Sequence, residues 1–158
     1  MVVGAGWILF QSTLRDVPVF TTAATLIQQK IAAFGIASAG AYFALTAFYS
    51  LFHSVLEEYY WRWFVFQQSR RLMPLWPAAM LSAIGFTLHH IVVLNVFFRG
   101  VPWLVALLSA AIAIGGVFWA WLFDRGGSVF DTWPSHLLID AGVFAIGYQL
   151  VQQSFSAG

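Results

Sequence analysis

The chain of 158 residues is 61% hydrophobic and 8% charged, with a formal net charge of +1 and a mean hydropathy of +0.81. Soluble domains carry roughly 45–50% apolar and about 25% charged residues, so this composition is that of a membrane protein. The near-neutral charge and the lack of a basic cluster exclude a nucleic-acid partner, and the absence of cysteine excludes disulfides, thiolate nucleophiles, zinc–thiolate sites and cysteine-held iron–sulfur clusters.

The start, "MVVGAGWILFQSTLRDVPVF", has neither a basic n-region nor a small-x-small cleavage site, so a removable signal peptide is not expected. Residues 1–30, interrupted by Arg15, Asp16 and Lys30, are expected to hold one interfacial helix or a short span. About 20 apolar residues cross the roughly 30 Å hydrocarbon layer. On that measure the first spanning segment is 31–52, rich in the Gly, Ala and Ser that let helices approach closely in lipid. A bend or short turn near Ser50 to Ser54 then leads into a segment at 54–68, which carries Glu57, Glu58 and Arg62. "QQSRRLMPLWP" (67–77) is a connection, closed by two arginines and two prolines. The next segments are 78–98, stopped by Arg99 and Gly100, and 102–123, ended by the turn signal "DRGGS". The last, about 135–152, opens after Pro134 as a first-turn residue and carries His136 and Asp140.

No internal repeat, low-complexity tract or linker interrupts this order. The expectation is an all-α, polytopic transmembrane helical bundle over 1–158, with lipid as its solvent. Loop residues 70–71 and Arg125 fall on one side and Arg99 on the other, which by the positive-inside rule makes the 70–77 loop cytoplasmic.

An ionised carboxylate in hydrocarbon costs at least about 2.5 kcal/mol, so such groups face the bundle interior and find partners. Residues four apart share a helix face. Glu58 therefore sits beside Arg62, and Glu57, turned about 100° away, is one turn from His53 with Trp61 at its own i+4 position. One glutamate is paired and the other is available as a general base. The structural alternative is that all three form an ion-pair network that pins helices together. "FTLHH" (86–90) puts two histidines inside an apolar segment; adjacent residues point apart, so at most one is expected to serve a site with Glu57. "HLLID" puts His136 and Asp140 on one face. A carboxylate and an imidazole can hold a water for attack on a carbonyl while further donors steady the oxyanion. Alternatively, His90 and His136 with a carboxylate could hold a divalent metal such as zinc. The H-E-x-x-H signature is absent, which makes metal the weaker form.

"EEYYWR" fits E-E-x-x-x-R, "FTLHH" fits F-x-x-x-H ending at His90, and "HLLID" fits H-x-x-x-[ND]. These motifs, in this order over about residues 50–150, resemble the CPBP (Abi) family of intramembrane proteases, which includes the type II CAAX prenyl endopeptidases. The resemblance implies an endopeptidase in which Glu57 activates water with His90 as its partner, Glu58 and Arg62 support the site, and His136 and Asp140 complete it. It also implies a protein or peptide substrate, prenylated in the CAAX enzymes, and a multi-pass location in the plasma membrane of a prokaryote. Asp140 stands where the prenyl endopeptidases carry an asparagine for the oxyanion; a deprotonated Asp140 would repel it, so this residue must be protonated, paired with His136 or used otherwise.

His90 lies about 18 Å along its segment from Ala78 at about 1.5 Å per residue, whereas His136 opens the last segment. For the two to share a site, residues 126–134 are expected to dip irregularly into the bundle, which is tolerated where backbone is buried in protein. Two other function classes compete: a non-catalytic bacteriocin-immunity or membrane binding protein on the same scaffold, and a redox or transport protein using His90 and His136 as haem ligands or Glu57 as a proton relay.

Overall fold

The computed structural model describes Ser12 and residues 18–156. Among these residues there is no strand, and the helices are α1 (Pro18–Ala33), α2 (Ala39–Arg70), α3 (Leu75–Phe97), α4 (Pro102–Gly126) and α5 (Val129–Ser156). Three of them, α2, α3 and α4, are long and apolar enough to cross a membrane. The 16 residues of α1 rise about 24 Å, short of a full span; the part of the expected N-terminal helix before Pro18 lies outside the described residues, apart from Ser12.

Three boundaries differ from the expected ones, each for a local reason. The apolar stretch from residue 31 to 52 is not one helix. Gly35 takes a φ of +71°, open to glycine without cost, and the amides of Gly35 and Ile36 close α1 on the carbonyls of Ala32 and Ile31. Ser38 then caps α2, its hydroxyl accepting from the Ala41 amide at 3.2 Å. At the other end, no turn separates residues 31–52 from 54–68. Helix α2 continues to Arg70, with π-helical stretches at Phe48–His53 and Tyr59–Phe66. A turn inside hydrocarbon would strand backbone N–H and C=O groups, whereas a π turn changes the helical register while every group stays bonded.

The third difference concerns α5, which begins at Val129 rather than near 135, so residues 129–134 are helical and do not form an irregular dip. Ser128 and Asp131 make a reciprocal cap. The Ser128 hydroxyl accepts from the Phe130 amide at 3.1 Å, and the Asp131 carboxylate accepts from the Ser128 amide at 3.2 Å. Gly127, at φ +80°, ends α4 in the left-handed region, and a Cβ on Gly126 would run into the Asp131 carboxylate. The early start sets His136 about 10 Å along the helix at about 1.5 Å per residue. Helix α3 likewise starts before its expected residue 78, at Leu75, with Pro77 in the first turn where no amide is required.

The chain divides into two compact units, one of residues up to Phe52 with those from Leu137 onward, the other His53–His136. In the first, Ile31, Tyr42 and Val151 are buried together, and the Tyr42 hydroxyl donates to the Phe144 carbonyl at 3.0 Å. In the second, α3 and α4 pack closely through small residues, and Phe66, Ala78, Ala79, Ala120 and Phe123 form the core. Arg70 donates to Asp124 at 2.8 Å, joining the end of α2 to the end of α4. Large apolar side chains such as Phe64, Leu88, Val92, Leu107 and Ile114 point outward, as lipid-facing residues do, while serines, glutamates and an arginine are buried.

Gly116 marks the closest approach of α3 and α4: a Cβ there would lie 3.0 Å from the Ala83 Cβ and 3.1 Å from its Cα. At neighbouring Gly115 a Cβ would make ordinary contact with Trp119. Gly116→Leu is therefore expected to cost about 1–3 kcal/mol by overpacking, while Gly115→Ala is close to neutral. Thermal unfolding of the two variants in the same detergent checks the contrast.

Candidate active site

The second unit gathers its polar groups on one face of α2. Ser54, Glu58 and Arg62, at four-residue spacing, are all fully buried, and Glu57 is 8% exposed; Leu56, Tyr59, Tyr60, Trp63 and Phe64 take the outer face. Two hydrogen bonds from α5 fall on this row in register: Trp133 donates its indole N–H to Ser54 Oγ at 2.9 Å, and His136 Nδ1 lies 2.7 Å from Glu58 Oε1. The first turns of α5 thus run alongside α2, held by two rungs one turn apart.

Glu58 is shared between two partners. His136 holds one oxygen, and Arg62 Nε lies 3.3 Å from the other. The guanidinium makes no side-chain hydrogen bond among the described residues. It sits instead over aromatic faces, with Cζ 4.5 Å from the Phe86 ring centre and 5.0 Å from that of Trp119, an arrangement worth about 2 kcal/mol or more when desolvated.

Glu57 collects the histidines, of which the chain has four. His89 Nε2 lies 2.8 Å from Glu57 Oε1 and His53 Nε2 3.4 Å from the same oxygen, while His136 Nε2 lies 3.4 Å from Oε2. His90 belongs to the same cluster: Glu57, His89 and His90 each offer a ligand atom, all within 4.8 Å of one another. His90 Nδ1 is hydrogen-bonded to the Phe86 carbonyl at 2.9 Å. A carbonyl only accepts, so that nitrogen carries the proton and, in the neutral ring, Nε2 presents a lone pair.

Of the residues singled out in the sequence, Glu57, Glu58, Arg62, His90 and His136 come together in this unit. Asp140 falls beyond its boundary, in the first unit. The residue that sequence reasoning left out is His89. The 100° between neighbours separates only the Cα–Cβ directions, and the rings of His89 and His90 converge to 4.0 Å between centres. The donor group suited to a divalent ion is correspondingly Glu57, His89 and His90, whereas both ring nitrogens of His136 face carboxylates.

Comparison with known families covers the same part of the chain. A family model described as Rce1-like, type II CAAX prenyl endopeptidase, matches residues 38–142, a range that includes α2, α3, α4 and the first half of α5. Curated proteins and solved structures return no match. A match over well more than half of the chain, on a helical scaffold able to span the bilayer, makes this an integral membrane protein that belongs to the Rce1-like family of type II CAAX prenyl endopeptidases.

Proposed function

We propose that the protein is an intramembrane endopeptidase that hydrolyses a peptide bond with a water activated by Glu57. The observation that carries this reading is the division between the two glutamates: Glu58 is committed to Arg62 and His136, while Glu57 stands at the meeting point of the imidazoles. The spacing supports a water between Glu57 and His90. Two hydrogen bonds of about 2.8 Å to one water span roughly 4.5 Å, comparable to the limit within which the ligand atoms of Glu57, His89 and His90 lie. The water gives one hydrogen to the carboxylate and the other to His90 Nε2, leaving its oxygen lone pairs free to attack. Glu57 takes a proton as the C–O bond forms and returns it to the amine nitrogen as the C–N bond breaks. His89 keeps the carboxylate turned toward this position. His136, held by Glu58 through Nδ1, completes the site with Nε2 beside Glu57.

The family supports a peptide substrate presented from the membrane, with a prenylated C-terminal CAAX segment as the first to try. We assign the protein to a prokaryotic plasma membrane, and the charge of Arg70 and Arg71 supports placing the loop after Arg70 on the cytoplasmic side. A metal-assisted variant has its own supporting observation, the donor group Glu57, His89 and His90; a divalent ion held there would lower the pKa of a bound water.

Purified, detergent-solubilised protein is expected to cleave a prenylated CAAX peptide, and Glu57→Gln to lower kcat by about 10²–10⁴-fold, the usual worth of a general base, without loss of fold. A chelator is expected to leave the wild-type rate unchanged; a chelator-sensitive rate would move the water onto a metal. Well-folded wild type that cleaves neither this peptide nor a library of membrane peptides would overturn the proposal. The two histidines should separate in the same assay. His90→Gln is expected to lose about 10²-fold or more, and His89→Gln, which keeps a donor for Glu57, to lose about tenfold or less; the reverse order would exchange their roles.

A further inference from the structure

We infer that Trp119, on α4, is a positioning residue of the reaction proposed above: its indole sets the plane of the His136 imidazole and so keeps that ring between Glu57 and Glu58. The inference rests on that reading of the site for its catalytic consequence and on geometry alone for the positioning.

A histidine ring has a broad torsion about its second side-chain bond, so the hydrogen bond from Nδ1 to Glu58 does not by itself hold the ring plane against pivoting about that contact. Nε2 would then swing away from Glu57. Trp119 removes this freedom. Its ring lies 4.4 Å from that of His136 at 18°, a stacked pair, and Phe86 stands edge-on to both, 5.7 Å from His136 at 86° and 6.0 Å from Trp119 at 89°. The indole is itself tethered to the residue before His136. Trp119 Nε1 donates to Ser135 Oγ at 2.9 Å, and the Ser135 hydroxyl spends its hydrogen on the Thr132 carbonyl at 2.8 Å. Both rings are buried, Trp119 at 5% and His136 at 2% exposure. The same indole lies against the Arg62 guanidinium, so a single side chain from α4 borders both partners of Glu58.

Truncating a buried tryptophan also opens a cavity, so the test needs measurements that lost packing alone does not move. Trp119→Leu removes the ring and the tether; Trp119→Phe keeps a ring and loses the tether. In the full-length protein in detergent, the imidazole ¹⁵N resonances of His136, assigned by their loss in His136→Gln, are expected to show one tautomer with the proton on Nδ1 in the wild type, the same in the phenylalanine variant, and averaging of the two nitrogens in the leucine variant. In peptide cleavage the leucine variant is expected to lose about tenfold in kcat with KM within twofold, and the phenylalanine variant to recover at least half of the wild-type kcat even where its melting temperature is equally lowered. A fixed tautomer in the leucine variant, or losses of kcat that simply follow the folded fraction in both variants, would overturn the inference. Should the leucine variant not fold, Trp119→Met, which fills more of the indole's volume without a planar ring, replaces it in the nitrogen measurement, with a fixed tautomer again the refuting result. If the wild type cleaves no peptide, the proposed function fails, and the nitrogen spectra still decide whether Trp119 orients His136.

Discussion

The second unit is organised around one buried ion pair. Glu58 and Arg62 are both fully excluded from solvent, in surroundings where removing either partner of such a pair costs about 3–5 kcal/mol. A charge in that position has to be met from every side, and each neighbouring helix supplies one part. The carboxylate of Glu58 is met by His136 from α5, and the guanidinium of Arg62 by Phe86 from α3 and Trp119 from α4. A single turn of α2 therefore ties together all four helices of the unit. In lipid, where apolar packing does little to distinguish one helix arrangement from another, such a hub supplies a specific register.

The pair also accounts for the contrast between two glutamates that are neighbours in sequence. Glu58 points into the unit and is consumed by structure. Glu57, about 100° around the helix, reaches a less enclosed space, where the side chains of His53 and His89 are 45% and 39% exposed. The closed half and the more open half of the cluster thus come from consecutive residues of one helix.

Much of this was legible from residue spacing. The i,i+4 relations of Glu58 with Arg62 and of His53 with Glu57 survive as contacts of 3.3 and 3.4 Å, because a helical repeat is a local property. What spacing does not carry depends on side-chain reach or on local signals that compete with one another. Backbone direction turns His89 away from His90, but an imidazole extends far enough to cross the gap. The early start of α5 was written as Ser128-x-x-Asp131, a capping pattern, but Pro134 drew the boundary to itself. The π-helical stretches of α2 have no comparable signature, so a break was expected where the helix continues. Trp119 is one of eight tryptophans in a run with no polar neighbour, and nothing local distinguishes it from a lipid-facing ring.

The connection between α4 and α5 consists of Gly127 and Ser128 alone. It follows directly on the helix that presents Trp119 and leads, eight residues later, to His136. Both are fixed to rigid helices, so the connection works as a spacer: adding one residue within α5 before His136 would turn everything after it by about 100° and carry it about 1.5 Å along the axis, separating His136 from both glutamates together. The length of this stretch is therefore tied to the cluster, whereas residues 98–101, between α3 and α4, lie outside it and do not set its register.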